Sequence, residues 1–281
     1  MYILLFLGLF IILGYFAVTK AYKNTQDVLI NKIDQTQNKS DPTLNILHLS
    51  DLHLEHISIS PEQLYENVKG EKIDLIALTG DFLDRKRTLP KLIPYLRVFR
   101  KLNAAKGIYA VLGNHDYVLN SNNLQKLIET LEEHDCKVMQ NESDTIHIHG
   151  RPVNIIGIDD FSTNRSDLKA SYKELKNGMN LVLTHDPNIV LHMKKYYYDY
   201  LLAGHFHGGQ ICYPKAYHLA KMGKLTKMNM IKGLQSLDDK PFYISEGLGQ
   251  TGVNIRVGSR PEITFHQLSV SQVETESLPA I

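Results

Sequence analysis

The chain opens on a run of apolar residues with neither alternation nor a polar face: Leu4, Leu5, Phe6, Leu7, Leu9, Phe10, Ile11, Ile12, Leu13 and Phe16, with no charge before Lys20. About 18 such residues are enough to cross a hydrocarbon layer as a helix, so the pattern predicts a transmembrane helix over residues 1–19. No Lys or Arg precedes the run, and Ala17-Val18-Thr19 makes a poor cleavage site, which favours a retained anchor over a signal peptide. Lys20, Lys23, Lys32 and Lys39 all lie on its C-terminal side. By the positive-inside tendency, a single-pass protein with its large domain on the cytoplasmic side of the cell membrane is expected. Residues 20–43 are rich in Asn, Gln, Lys, Asp and Thr and read as a polar juxtamembrane linker, helical near Val28-Leu29-Ile30.

Beyond Pro42 the pattern becomes a series of short apolar runs, each emptying into small and polar residues. Asn45–Ser50 runs into Asp51-Leu52-His53, Ile73–Thr79 into Gly80–Asp84, and Ile108–Leu112 into Gly113-Asn114-His115-Asp116. Helical stretches are expected between them, over residues 61–69 and 89–102. Strand, helix, strand, helix, strand predicts a parallel α/β sheet. The second half predicts a hairpin about Gly150, a helix over residues 166–176, and a strand at Leu181–Leu183 ending in Thr184-His185. A strand at Tyr200–Ala203 then ends in Gly204-His205-Phe206-His207-Gly208-Gly209-Gln210, and closing strands are expected near residues 242–245 and 262–268. One domain over residues 44–270 is expected, with a tail at 271–281.

Charge and cysteine content narrow the function. A net charge of +1 lacks the basic excess of a nucleic-acid binder, so no nucleic-acid partner is expected. Cys136 and Cys212 stand far apart and imply no disulfide framework. The imidazoles and carboxylates are more informative, because of where they fall. Ligands bind at the carboxyl ends of strands in open α/β sheets, and five successive strand ends carry Asp51/His53, Asp81/Asp84, Asn114/His115, His185 and His205/His207. Each has an ordinary reading alone: a turn cap, a helix N-cap, a hydrogen-bonded histidine. Five at successive strand ends argue for one metal site, and an oxygen and imidazole set without thiolate suits Mn, Fe or Zn.

In order, Asp51-x-His53, Gly80-Asp81-x-x-Asp84, Gly113-Asn114-His115-Asp116, Thr184-His185 and Gly204-His205-x-His207 resemble the signature of the calcineurin-like metallophosphoesterases. The continuation Gly208-Gly209-Gln210, with Gly247-Leu248-Gly249, Ile255-Arg256-Val257 and Arg260–Thr264, is similar to a membrane-linked bacterial branch. Some of that branch hydrolyse UDP-diacylglucosamine, and others are phosphodiesterases. The resemblance implies a four-layer αββα sandwich with two divalent metal ions at its edge. It would give Asp51, His53 and His207 to one ion and Asn114, His185 and His205 to the other, with Asp81 bridging. His115 would be the acid beside the leaving group, oriented by Asp84. The expected activity is hydrolysis of a lipid-linked or nucleotide-linked phosphodiester. Leu112 stands where phosphoprotein phosphatases of this superfamily carry Arg, so a phosphomonoesterase is the second reading. A binding scaffold without activity is disfavoured by the intact ligand set. Residues 211–234 mix Tyr and Met with Lys215, Lys221, Lys224, Lys227 and Lys232, the composition of a segment that meets lipid.

Overall fold

In the computed structural model, residues 2–36, 38 and 40–270 are described; Lys39 and the expected tail at 271–281 lie outside the described residues. In chain order the elements are α1 (Tyr2–Lys23), β1 (Leu29–Gln35), β2 (Thr43–Leu49), α2 (Pro61–Val68), β3 (Leu75–Thr79) and α3 (Leu89–Lys101). Then come β4 (Ile108–Val111), α4 (Ser121–Glu132), β5 (Cys136–Val138), β6 (Glu142–Ile148), β7 (Arg151–Gly157) and α5 (Leu168–Ser171). The chain closes with β8 (Met179–Leu183), β9 (Tyr200–Ala203), α6 (Lys224–Lys227), β10 (Gly233–Leu237), β11 (Lys240–Ile244) and β12 (Glu262–Ser269).

Two six-stranded sheets form, in the orders β1-β12-β2-β3-β4-β5 and β10-β11-β9-β8-β7-β6. They stack through Leu44, Ile46, Leu75 and Val111 of the first and Val153, Ile155, Leu181, Leu202 and Tyr243 of the second. Leu47, Leu78 and Ala110 point the other way, as alternate strand residues must, and pack under Leu64, Leu92, Leu96, Phe99, Leu127 and Leu131 of α2, α3 and α4. On the second sheet Ile156, Val182 and Leu201 meet Ile189, Leu219 and Leu225 of shorter helical turns. The result is helices, sheet, sheet, helices: the expected αββα sandwich. Both faces of each sheet are covered, so its central strands read as continuous apolar runs. The helices start at real caps. Ser60 and Gln63 form a capping box on α2, and Asn120 accepts from the Asn123 backbone N–H at the start of α4.

Two expectations change. Residues 29–35 are neither linker nor helix. β1 pairs in parallel with β12 along its length, from Leu29 opposite Glu262 to Gln35 opposite Leu268. The helix expected over residues 166–176 shrinks to α5, capped by Asp167. Its continuation is pulled straight because Asn154 bonds both the N–H and the carbonyl of Lys176, at 3.0 and 2.8 Å. α1 is long and apolar enough to cross a membrane, and none of its most apolar 18-residue stretch is buried.

Candidate metal centre

β2, β3 and β4 run parallel, as do β8, β9 and β11 in the second sheet, so their carboxyl ends gather at one edge. There the backbone turns back on itself. Asp51, His53, Asp81, His205 and His207 all have positive φ, between 38° and 78°. For residues with a Cβ this left-handed region costs on the order of 1–3 kcal/mol each, and the five are all expected ligands. Two glycines allow the loops to meet. A Cβ on Gly113 would strike the Asp81 carboxylate, and one on Gly204 would strike Ser50 Oγ and Asp51 Oδ2.

All the expected ligand residues reach this edge. Asp51, His53 and His207 form one cluster, Asp51, Asp81 and His185 a second, and His53, Asp84 and His115 a third, with ligand atoms in each within 4.8 Å of one another. His207 Nε2 lies 3.3 Å from Asp51 Oδ1 and 3.1 Å from His53 Nε2. Asp81 Oδ2 lies 3.4 Å from His53 Nε2 and 3.1 Å from His185 Nε2, joining the clusters. His205 Nδ1 is 3.2 Å from His185 Nε2. Asn114 Oδ1 is buried with no hydrogen-bond partner. Asp84 Oδ1 lies 3.1 Å from both His53 Nδ1 and His115 Nδ1, and the His115 side chain remains 30% exposed at the opening.

Ring orientations are set by these bonds. His185 Nδ1 donates to the Thr79 carbonyl at 2.7 Å, which turns its Nε2 toward Asp81. His53 is held likewise by Asp84, which turns its Nε2 toward His207 and Asp81. Burial opposes charge on every group here, yet the carboxylates override it at His53, raised to about 10, and hold His185 well above the ordinary imidazole range. Asp81, also buried, is pulled well below the usual carboxylate range by His185 and His53. Imidazoles held in their charged form by buried carboxylates mark a candidate cation site, because bound divalent ions take the place of such protons. Converging nitrogens, close carboxylates and the orphaned Asn114 oxygen all fit bound metal.

Residues behind the expected ligands complete the design. Asp116 stands in the Gly-Asn-His-Asp motif, but its work is visible only in three dimensions. Its Oδ2 accepts from the N–H groups of Gly113 at 2.9 Å and Asp81 at 3.0 Å, and its Oδ1 from Phe82 at 2.9 Å and Leu83 at 3.3 Å. Ser50 Oγ donates to Asp51 Oδ2 at 2.6 Å. The fully buried Arg256 grips the carbonyls of Glu246, Gly247 and Gly249, while the N–H groups of Leu248 and Gly249 bond Ser50 and Asp51. No spacing rule marks Arg256, because it acts through the loop between. A cleft of about 490 Å³ opens beside His205, bordered by Phe161, His192, Met222, Lys221 and Lys224.

Residues 44–209, more than half of the chain, match the family model described as calcineurin-like phosphoesterase. The chain belongs to this family. It is a metal-dependent phosphoester hydrolase. It is 64% identical over 252 residues to the uncharacterized metallophosphoesterase YkoQ of Bacillus subtilis, covering 89% of this chain and 93% of the relative. It is 25% identical over 275 residues to the UDP-2,3-diacylglucosamine pyrophosphatase LpxG of Chlamydia trachomatis, covering 78% and 82%. To the phosphodiesterase YaeI of Escherichia coli it is 26% identical over 226 residues, covering 79% and 81%.

The lysine-rich stretch at 211–234 divides. Leu219 and Leu225 enter the second outer core, Lys221 and Lys224 border the cleft, and Lys232 pairs with Glu246 at 2.9 Å. Only Ile211, Tyr213, Tyr217 and Met228 remain as exposed large apolar groups in its first eighteen residues.

Proposed function

We propose that this phosphoesterase is a membrane-anchored phosphodiesterase or pyrophosphatase that acts on a lipid-linked or nucleotide-linked phosphodiester, with UDP-2,3-diacylglucosamine one such substrate. The observation that carries the reading is the complete donor set at one edge, with the half-open His115–Asp84 pair beside it. Asp51, His53 and His207 would hold one ion, Asn114, His185 and His205 the other, and Asp81 both. Two divalent ions, Mn, Zn or Fe, supply Lewis acidity and a water of lowered pKa when bound.

The chain's own residues do the rest. His115, with Nδ1 engaged by Asp84, keeps Nε2 for the leaving oxygen. Burial works against its charge, but the Asp84 hydrogen bond and the Asp81 field raise its pKa, so the ring is ready to give up a proton. General acid help of this kind contributes about 10²- to 10⁴-fold. A diester carries a second substituent, and the cleft beside His205 has room for it, with Lys221 and Lys224 to meet further negative charge and Phe161 and Met222 to meet an apolar or ring group. Leu112 packs into the α2–α4 core and brings no cation to the phosphate, which favours a diester over a monoester dianion. Lys20 and Lys23 in the last turn of α1 favour a cytoplasmic catalytic domain.

A panel assayed with added Mn²⁺ tests the reading: a bis-aryl phosphodiester, an aryl phosphomonoester, UDP-2,3-diacylglucosamine and glycerophospholipids. The diester should be hydrolysed well ahead of the monoester. The reverse order would replace this reading with a phosphomonoesterase.

A further inference from the structure

The apolar helix does not hand over to a loose tether. The Arg256 N–H donates to the Ala21 carbonyl at 2.9 Å, and Asn24 Nδ2 donates to the Arg256 carbonyl at 2.9 Å. Thr25, fully buried, meets Ser58 across 2.8 Å between hydroxyls, and Asp27 pairs with Arg260. Leu29 N–H then bonds the Pro261 carbonyl at 2.8 Å as β1 begins. Topology says which edge this is. β12 is antiparallel to β2, so it starts where β2 ends, and β1, parallel to β12, starts there too. The last turn of α1 therefore sits at the metal edge.

The segment that receives α1 also holds the ligand turn. Gln210 Nε2 donates to the carbonyls of Thr251 and Val253 at 2.9 and 3.0 Å. The Val257 N–H donates to the Gln210 carbonyl at 2.8 Å, and the Cys212 N–H to the Val257 carbonyl at 2.6 Å. Helix end, residues 251–257 and the turn bearing His207 are thus one hydrogen-bonded unit. Around it Tyr22, Ile211, Tyr213, Tyr217 and Val253 are 44%, 39%, 81%, 69% and 55% exposed. Exposed lysines, Lys20, Lys23 and Lys215, stand among them.

We propose that this face is a membrane-docking surface: Tyr213, Ile211 and Val253 enter the headgroup layer of the bilayer that α1 crosses, and the three lysines meet anionic headgroups. This deepens the proposed function and rests on its reading of α1 as an anchor. Continuity with the apolar helix and the basic charge select lipid as the occupant. Aromatic rings with flanking lysines are what an interfacial segment uses. The metal edge then faces the membrane, and a phosphodiester at headgroup depth reaches His115 without leaving the lipid layer.

The protein has no Trp, so single substitutions report without background. Full-length Tyr213→Trp and Val253→Trp variants go into vesicles of equal phosphatidylcholine and phosphatidylglycerol, with and without brominated phosphatidylcholine. Tyr197→Trp serves as reference. Tyr197 is 57% exposed and borders a cavity with Gln35 and Leu268 at the far ends of β1 and β12. Emission at positions 213 and 253 should shift to the blue and lose most of its intensity to bromine, with position 197 unaffected. Equal response at all three positions would overturn the proposal. So would a blue shift at 213 that appears only with rising protein concentration in detergent, which would assign the face to a second copy. Flotation of the same vesicles separates the two readings: protein that does not float refutes the anchor itself, whereas floating protein without quenching refutes only the docking.

Discussion

Replacing Asp116 with Asn should destabilise the ligand loops without altering any group that touches substrate. The carboxylate accepts four backbone N–H bonds, two on each oxygen, from Gly113, Asp81, Phe82 and Leu83. An amide of the same shape has one accepting oxygen, so its NH₂ must face two N–H donors. Two buried donors without partners cost about 1–3 kcal/mol each, or about 2–6 kcal/mol together. One effect opposes this. Burial and the charge of Asp81 push Asp116 up to about 7, so neutralising it relieves repulsion. Bound divalent ions would balance Asp81 and remove most of that relief. The loss should therefore be larger with metal than after chelation. Urea unfolding with and without Mn²⁺, beside metal analysis of the purified variant, reads both quantities. A variant within about 0.5 kcal/mol of the parent, carrying full metal, would refute the role given to Asp116.

Asp81→Ala should abolish turnover and strip metal, whereas His115→Ala should retain metal and lose about 10²- to 10⁴-fold in rate; metal content measured beside kinetics decides between the roles. Glu262 is buried against Tyr243 and Thr264, and burial raises its carboxyl from 4.5 to about 7. Because the folded value is the higher, its contribution to stability is present below about 4.5 and lost as pH rises through 7; at about 1.4 kcal/mol per unit this amounts to about 3 kcal/mol. Glu262→Gln should flatten that part of the stability profile, and an unchanged difference between pH 4 and pH 8 in denaturant melts would count against it. A chain beginning at Asp41 should express poorly or melt early, because it strips β1 from β12, whereas one beginning at Lys20 should keep the fold and hydrolyse a soluble diester; equal melting temperatures for the two would show that β1 contributes nothing.

Most of the metal edge is legible in the sequence because buried parallel strands leave continuous apolar runs, and the residues just beyond each run sit at the same edge. The order Asp51, Asp81, Asn114, His185, His205 therefore maps onto space with no further information. The hidden residues act sideways. Asp116 can be quoted as part of a motif, yet its four partners come from two loops that sequence distance does not join. Arg256 stands in a stretch that carries the family resemblance, yet it holds carbonyls of a loop that in turn bonds Ser50 and Asp51, one step too remote for spacing to show its role.

β1 is hidden for a related reason. Its inward positions are Leu29, Asn31, Ile33 and Gln35, and only two of them are apolar. Asn31 faces inward because Tyr243 Oη accepts from it at 3.1 Å, a partner 212 residues away. An edge strand with two mixed faces, Ile30, Lys32 and Asp34 outward, has the composition of a linker, and nothing local separates the two. The consequence is functional. With α1 as the proposed anchor, a linker would let the domain drift beneath the membrane, whereas a strand whose first N–H bonds Pro261 and a helix whose last turn bonds Arg256 fix the orientation of the metal edge relative to α1. Orientation is the property a hydrolase of membrane-bound diesters needs and a hydrolase of soluble ones does not, so the segment with the least distinctive composition bears most directly on the proposed lipid-linked substrate.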